Sequence, residues 1–169
     1  MANTTFNGPV RSENGFISVS KNSTTGTITE ISTYGGAPVA LADGDVTLTN
    51  ATHSGRVLIV PNGTQDNTFT LPSPVAGASF TFVYGGGAAD ATDFIVDAGS
   101  DTNFFIGNVA FNDTDDGAAS VVFANASSNS TVQVNVPGAA EINIVAKDST
   151  NWYIWGSVTG ATAPAFADQ

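Results

Sequence analysis

A single histidine stands beside a serine, His53-Ser54, the smallest unit from which a nucleophile–base pair could be built. Neighbours in an extended chain point to opposite faces, so this pair cannot pass a proton directly. No Gly-x-Ser-x-Gly turn frames another serine as a nucleophile. The expected role of His53 is that of a hydrogen-bonded residue at the start of a strand. Cysteine is absent, which removes thiolate nucleophiles, thiolate metal sites and disulfides together. The densest oxygen cluster is Asn112-Asp113-Thr114-Asp115-Asp116-Gly117, a stretch with ligands suited to calcium. Its glycine is misplaced for an EF-hand loop and no glutamate follows at the required offset. Asp43-Gly44-Asp45 and residues 97–101 are looser still. Asp and Asn favour turns by bonding their own backbone, and that is the expectation for all three stretches. Gly85-Gly86-Gly87 follows a strand pattern without the lysine and helix of a phosphate loop, so it reads as a turn. Paired carboxylates for glycoside hydrolysis depend on a separation in space, and only three of the acids are glutamates. These residues lead us to expect no catalytic site, no cofactor and no metal.

The charge balance narrows the partners. Four basic residues (Arg11, Lys21, Arg56 and Lys147) face fifteen acidic ones, for a net charge of −11. Phosphate neutralisation needs clustered Lys and Arg, so neither nucleic acid nor an anionic membrane surface is an expected partner. The polar opening and short apolar runs lack the pattern of a secretory signal or a membrane span, which points to synthesis in a cytoplasm.

The elements that must position these residues are strands. Leucine occurs only four times and Glu, Lys and Met are scarce, so the residues that favour helices are nearly missing. Eleven phenylalanines, with many Val, Ile and Thr, suit a pleated, half-buried surface. Alternation over 16–20 and 27–31, around a polar loop containing Gly26, predicts a hairpin. Tyr34-Gly35-Gly36 and Ala37-Pro38 then form a break. Beyond it, short alternating segments recur at 46–49, 56–60, 68–71, 79–84, 94–96, 103–106, 120–123, 131–136, 141–146 and 152–158. No segment sustains a 3.6 period, so at most short helical turns are expected. About ten short strands at this spacing predict an all-β sandwich or barrel, mainly antiparallel. Residues 1–40 are read as an extended N-terminal arm and hairpin. Residues 41–169 are read as the β-domain, ending in a short extended tail.

Alternation in Asn151-Trp152-Tyr153-Ile154-Trp155 places Trp152 and Ile154 on one face and Tyr153 and Trp155 on the other. Both faces carry large side chains. The strand therefore lies centrally in a sandwich or covers its second face with a partner.

Three stretches carry a family resemblance. The opening, residues 1–16, resembles the start of small virion proteins of tailed phages, particularly marine ones. Thr68-Phe69-Thr70-Leu71-Pro72-Ser73-Pro74, with Gly77 and Phe80-Thr81-Phe82-Val83, resembles a pattern of phage structural β-domains. Asn151-Trp152-Tyr153 with Gly156 resembles their close. Capsid decoration (cement) proteins and tail-fibre domains share this texture. A compact β-domain suits decoration better than a fibre, which needs a long shaft. The resemblance implies a homotrimer on the capsid exterior that binds the major capsid protein. Binding only the assembled shell stabilises it by mass action. The alternatives are a tail-fibre or receptor-binding domain and, third, a carbohydrate-active module.

Contact residues are expected in the arm and on the aromatic strand. Phe6 and Val10 would fill shallow pockets on a neighbour while Arg11 pairs with a carboxylate there. Gly8-Pro9 keeps this segment out of a helix. Phe16 and Trp155 complete the set of capsid- or subunit-binding candidates. The competing arrangement drapes residues 1–10 over their own domain, with Phe16 simply starting the first strand.

Overall fold

The computed structural model describes residues 12, 15–86 and 92–169. In chain order the elements are β1 (Phe16–Lys21), β2 (Ile28–Tyr34), β3 (Val39–Ala40), β4 (Val46–Thr47), α1 (Asn50–His53), β5 (Arg56–Ile59) and β6 (Asn67–Thr70). They continue with β7 (Ser79–Tyr84), β8 (Phe94–Asp97), β9 (Phe104–Asp113), β10 (Ala119–Asn125), β11 (Thr131–Val134), β12 (Pro137–Ala146), β13 (Asn151–Gly160) and β14 (Ala165–Ala167). The fold is an all-β sandwich. One layer has the strand order β10-β9-β13-β12-β7-β5-β3 and the other β14-β11-β8-β6-β4, while β1 and β2 form a separate hairpin.

Each of the ten expected segments overlaps a strand, although β4 and β11 stop two residues short of the expected ends. The additions are the two-residue β3 and the C-terminal β14, which turns the expected tail into an edge strand paired with β11. Antiparallel pairings hold only a narrow majority, six against five parallel. The cause is the path of the chain. From β3 to β8 successive strands alternate between the two sheets, so β3, β5 and β7 run parallel in one and β4, β6 and β8 in the other. Parallel neighbours need a long crossover. Here a strand of the opposite sheet supplies it where α/β proteins use a helix. After β8 the coil ends, and β11 and β12 return antiparallel to β8 and β7.

The core lies between the two sheets. Phe69 stacks on Phe82 across the layers at 6.0 Å between ring centroids, and Tyr84 meets Phe94 at 6.5 Å. Trp152 is fully buried and edge-on to Phe80. Ile154 is buried beside it, while Tyr153 and Trp155 are exposed, as alternation requires. Two glycines permit close backbone approach. Gly107 has φ +133, and a Cβ there would collide with the Ile154 carbonyl oxygen of the neighbouring strand. Gly55 has φ +77, and a Cβ would lie 2.6 Å from the Thr33 carbonyl oxygen.

Candidate interaction surfaces

The residues that could do chemistry are engaged in building the fold. His53 ends the short helix α1, and its Nδ1 accepts the Thr49 backbone N–H at 3.0 Å. Burial, then the nearby Arg56 cation, holds its pKa below the usual histidine value. Ser54 is fully buried; its Oγ lies 2.7 Å from Ser32 Oγ and accepts the Ser79 N–H at 2.9 Å. Arg56 donates from Nε and Nη2 to the Ala37 carbonyl and from Nη1 to the Thr52 carbonyl. It thereby ties the break after the hairpin to α1.

The acids at 113–116 serve as turns as expected, whereas Asp43 and Asp45 tie their loop to Thr64 and Thr68, more than twenty residues on. Asp113 accepts the Asp115 N–H and Asp116 accepts the Ala118 N–H, each at 2.8 Å. Asp43 accepts from the backbone and hydroxyl of Thr64, and these bonds, the hydroxyl first, hold its pKa below the usual carboxylate value. Asp148 accepts from the Thr150 backbone and from Asn151, and its pKa falls to about 2. Among the described residues no three His, Asp or Glu side chains converge to hold a metal ion. A shallow depression of about 230 Å³ lies over β7, β12 and β13, lined by Val83, Ala139, Glu141, Ser157 and Thr159. Glu141 is its one ionisable side chain among the described residues.

Exposed apolar surface is where the molecule departs from an ordinary soluble domain. Among the described residues, every exposed large apolar side chain falls on one of two surfaces. The first is the hairpin, with Phe16, Ile17, Val19, Ile28 and Tyr34. Its register sets Phe16 opposite Tyr34 on one face, and Ile17, Val19 and Ile28 on the other. An isolated two-stranded hairpin is at best marginally stable in water. This one is held at its base. Thr33 N–H donates to the Ser54 carbonyl at 2.8 Å, Thr33 Oγ1 donates to the Ala51 carbonyl, and the half-buried Ile31 packs on the core. The tip beyond is exposed on both faces.

The second surface is the outer face of the seven-stranded sheet. Its registers align Phe123, Asn108, Trp155, Asn143, Thr81 and Val57 in one row across six strands. Val121 and Ile59 fall in the next row, and Tyr153 with Ile106 in the row on the other side. Trp155 is 48 % exposed, Phe123 73 %. The outer face of the five-stranded sheet differs sharply: Thr68, Thr70, Thr131 and Gln133 are half-buried there, and it exposes no large apolar side chain among the described residues.

Of the expected contact residues, Phe16 lies on the hairpin and Trp155 on the outer sheet face, both exposed and on separate elements. Phe6, Val10 and Arg11, with the arm that carries them, lie outside the described residues. Ile17, Val19, Ile28, Tyr34, Val57, Ile59, Val121 and Phe123 are the exposed large apolar residues, among those described, that sequence reading missed. A signal for the hairpin existed: apolar residues at 16, 17 and 19 occupy both parities of one strand, so one face must be left uncovered. No known family model and no curated protein matches this chain.

Proposed function

We propose that this chain is a non-enzymatic capsid decoration (cement) protein of a tailed phage, held on the outer surface of the major capsid protein lattice. The asymmetry of the sandwich carries the reading. One outer face and the projecting hairpin display all the exposed large apolar side chains among the described residues, while the opposite face is Thr- and Gln-rich. Exposed large apolar side chains concentrated on particular surfaces in this way favour a protein contact. A polar second face suits a layer whose far side stays in water. The net charge of −11 with few cations favours protein contact over nucleic acid or membrane. The sequence resemblance supplies the identity of the shell.

The test is binding to phage shells lacking this protein. The triple substitution Ile17→Ser, Val19→Ser, Ile28→Ser changes only exposed positions of the hairpin, so the sandwich keeps its melting temperature. Expected is a loss of shell binding of at least tenfold, about 1.4 kcal/mol, and density over the capsid lattice in images of the native particle. Unchanged shell binding, or density confined to the tail as a fibre domain requires, overturns the proposal.

A further inference from the structure

The open edge of the seven-stranded sheet carries a separate inference, independent of what the hairpin binds. Strand β10, Ala119-Ser120-Val121-Val122-Phe123-Ala124-Asn125, pairs on one side with β9 and, among the described residues, ends the sheet on the other. Natural edge strands are blunted by charge, proline, bulges or shortness. This one has seven residues, no charge, no proline and an unbroken register with β9.

Its outward backbone groups follow from the ladder. Asp113 N–H donates to the Ala118 carbonyl and Phe105 N–H donates to the Asn129 carbonyl, so odd-numbered residues of β9 turn their polar groups toward β10. Their partners Ser120, Val122 and Ala124 bond inward, which leaves Ala119, Val121 and Phe123 directed away from the sheet. Asn125 closes the row, because its N–H is taken by Asn129 Oδ1 at 2.7 Å. Val121 and Phe123 also expose their side chains, 59 % and 73 %.

We propose that β10 pairs antiparallel with β10 of a second copy, joining two seven-stranded sheets across a two-fold axis at Val122. Charge selects this occupant and this direction. Two chains of net charge −11 repel wherever acids face each other, and β10 carries none. Asp113, Asp115 and Asp116 precede the strand, while residues 126–130 after it are uncharged. A parallel pair would set the acids of both copies side by side. The antiparallel pair places Asp116 of each opposite Ser128 of the other, at far ends of the strand. The register opposes Val121 to the second copy's Phe123 and the reverse. That gives about four ladder hydrogen bonds, two for each facing pair, and two aromatic–aliphatic cross-strand contacts. The symmetry is two-fold, where the sequence resemblance implied three-fold.

The experiment is sedimentation equilibrium of the full chain at rising concentration, with hydrogen exchange on the same samples. Expected is a mass that approaches twice the 17.1 kDa chain mass at hundreds of micromolar. The amides of Val121 and Phe123 slow at least tenfold as the dimer fills. Val121→Lys, at an exposed edge position, returns the protein to monomer with unchanged strand content. Should that variant fold poorly, Val121→Pro removes only an outward N–H and leaves the β9 ladder intact. A monomer at every concentration, a mass three times the chain mass, or a dimer that survives both substitutions overturns the proposal.

Discussion

Replacing Ser54 by alanine tests how the hairpin is held to the sandwich. Its hydroxyl is fully buried between β2, β5 and β7, with Ser32 Oγ at 2.7 Å and the Ser79 amide donating to it at 2.9 Å. The substitution removes one oxygen and leaves the Ser79 N–H without an acceptor, a loss of about 1–3 kcal/mol. Ser32 suffers less, because its hydroxyl has a second acceptor in the Gly77 carbonyl at 3.5 Å. Taken together, Ser54→Ala destabilises by about 2–3 kcal/mol, a drop in melting temperature of about 5–10 °C for a chain of this size. Urea unfolding with an unchanged m-value is the assay. Ser32→Ala alone loses about 1 kcal/mol. The double variant falls close to Ser54→Ala, because the Ser79 amide is then the one orphaned group. A loss below about 0.5 kcal/mol for Ser54→Ala, or strict additivity in the double variant, refutes the argument.

Other outcomes follow from single features. Gly55→Ala forces a Cβ against the Thr33 carbonyl at a positive φ, and we expect a loss of about 2–4 kcal/mol by urea unfolding together with faster exchange of the β2 amides. Val136 holds φ +37, a conformation costly for a branched side chain, so Val136→Gly raises the melting temperature by about 2–4 °C. His53 has a folded pKa below 6.5, its unfolded value, so the unfolded chain binds the extra proton first as pH falls. Stability is therefore full above pH 6.5 and declines as pH drops below it toward the folded pKa. His53→Gln flattens the melting-temperature profile in that window.

Strand identity was legible because a two-residue period is local: segments such as 131–136 declare themselves without reference to any partner. Strand direction was not. Phe104 pairs with Asn151 in parallel, and nothing in either segment's alternation encodes that neighbour. The three-residue β14 is too short to show a period at all. Trp155 could be assigned to the face opposite Trp152 by alternation alone. Val121 and Phe123 could not be assigned an outward face, since an edge strand has the same apolar alternation as a central one until its missing neighbour is known. The acids of 112–117 were readable as turn formers because their partners are their own backbone.

The coil of strands from β3 to β8 sets the order in which this chain gains structure. Leu58 pairs with Phe82 and Phe69 with Val96, spans of 24 and 27 positions. Phe104 pairs with Asn151 across 47. Closing a loop of twice the length costs about 0.6 kcal/mol more, so the coil closes more cheaply than the long β9–β13 ladder, which zips on afterwards. Weakening the coil slows folding. Weakening β9–β13 leaves the folding rate nearly unchanged and hastens unfolding, which makes the longest ladder in the molecule the clasp that governs its kinetic lifetime.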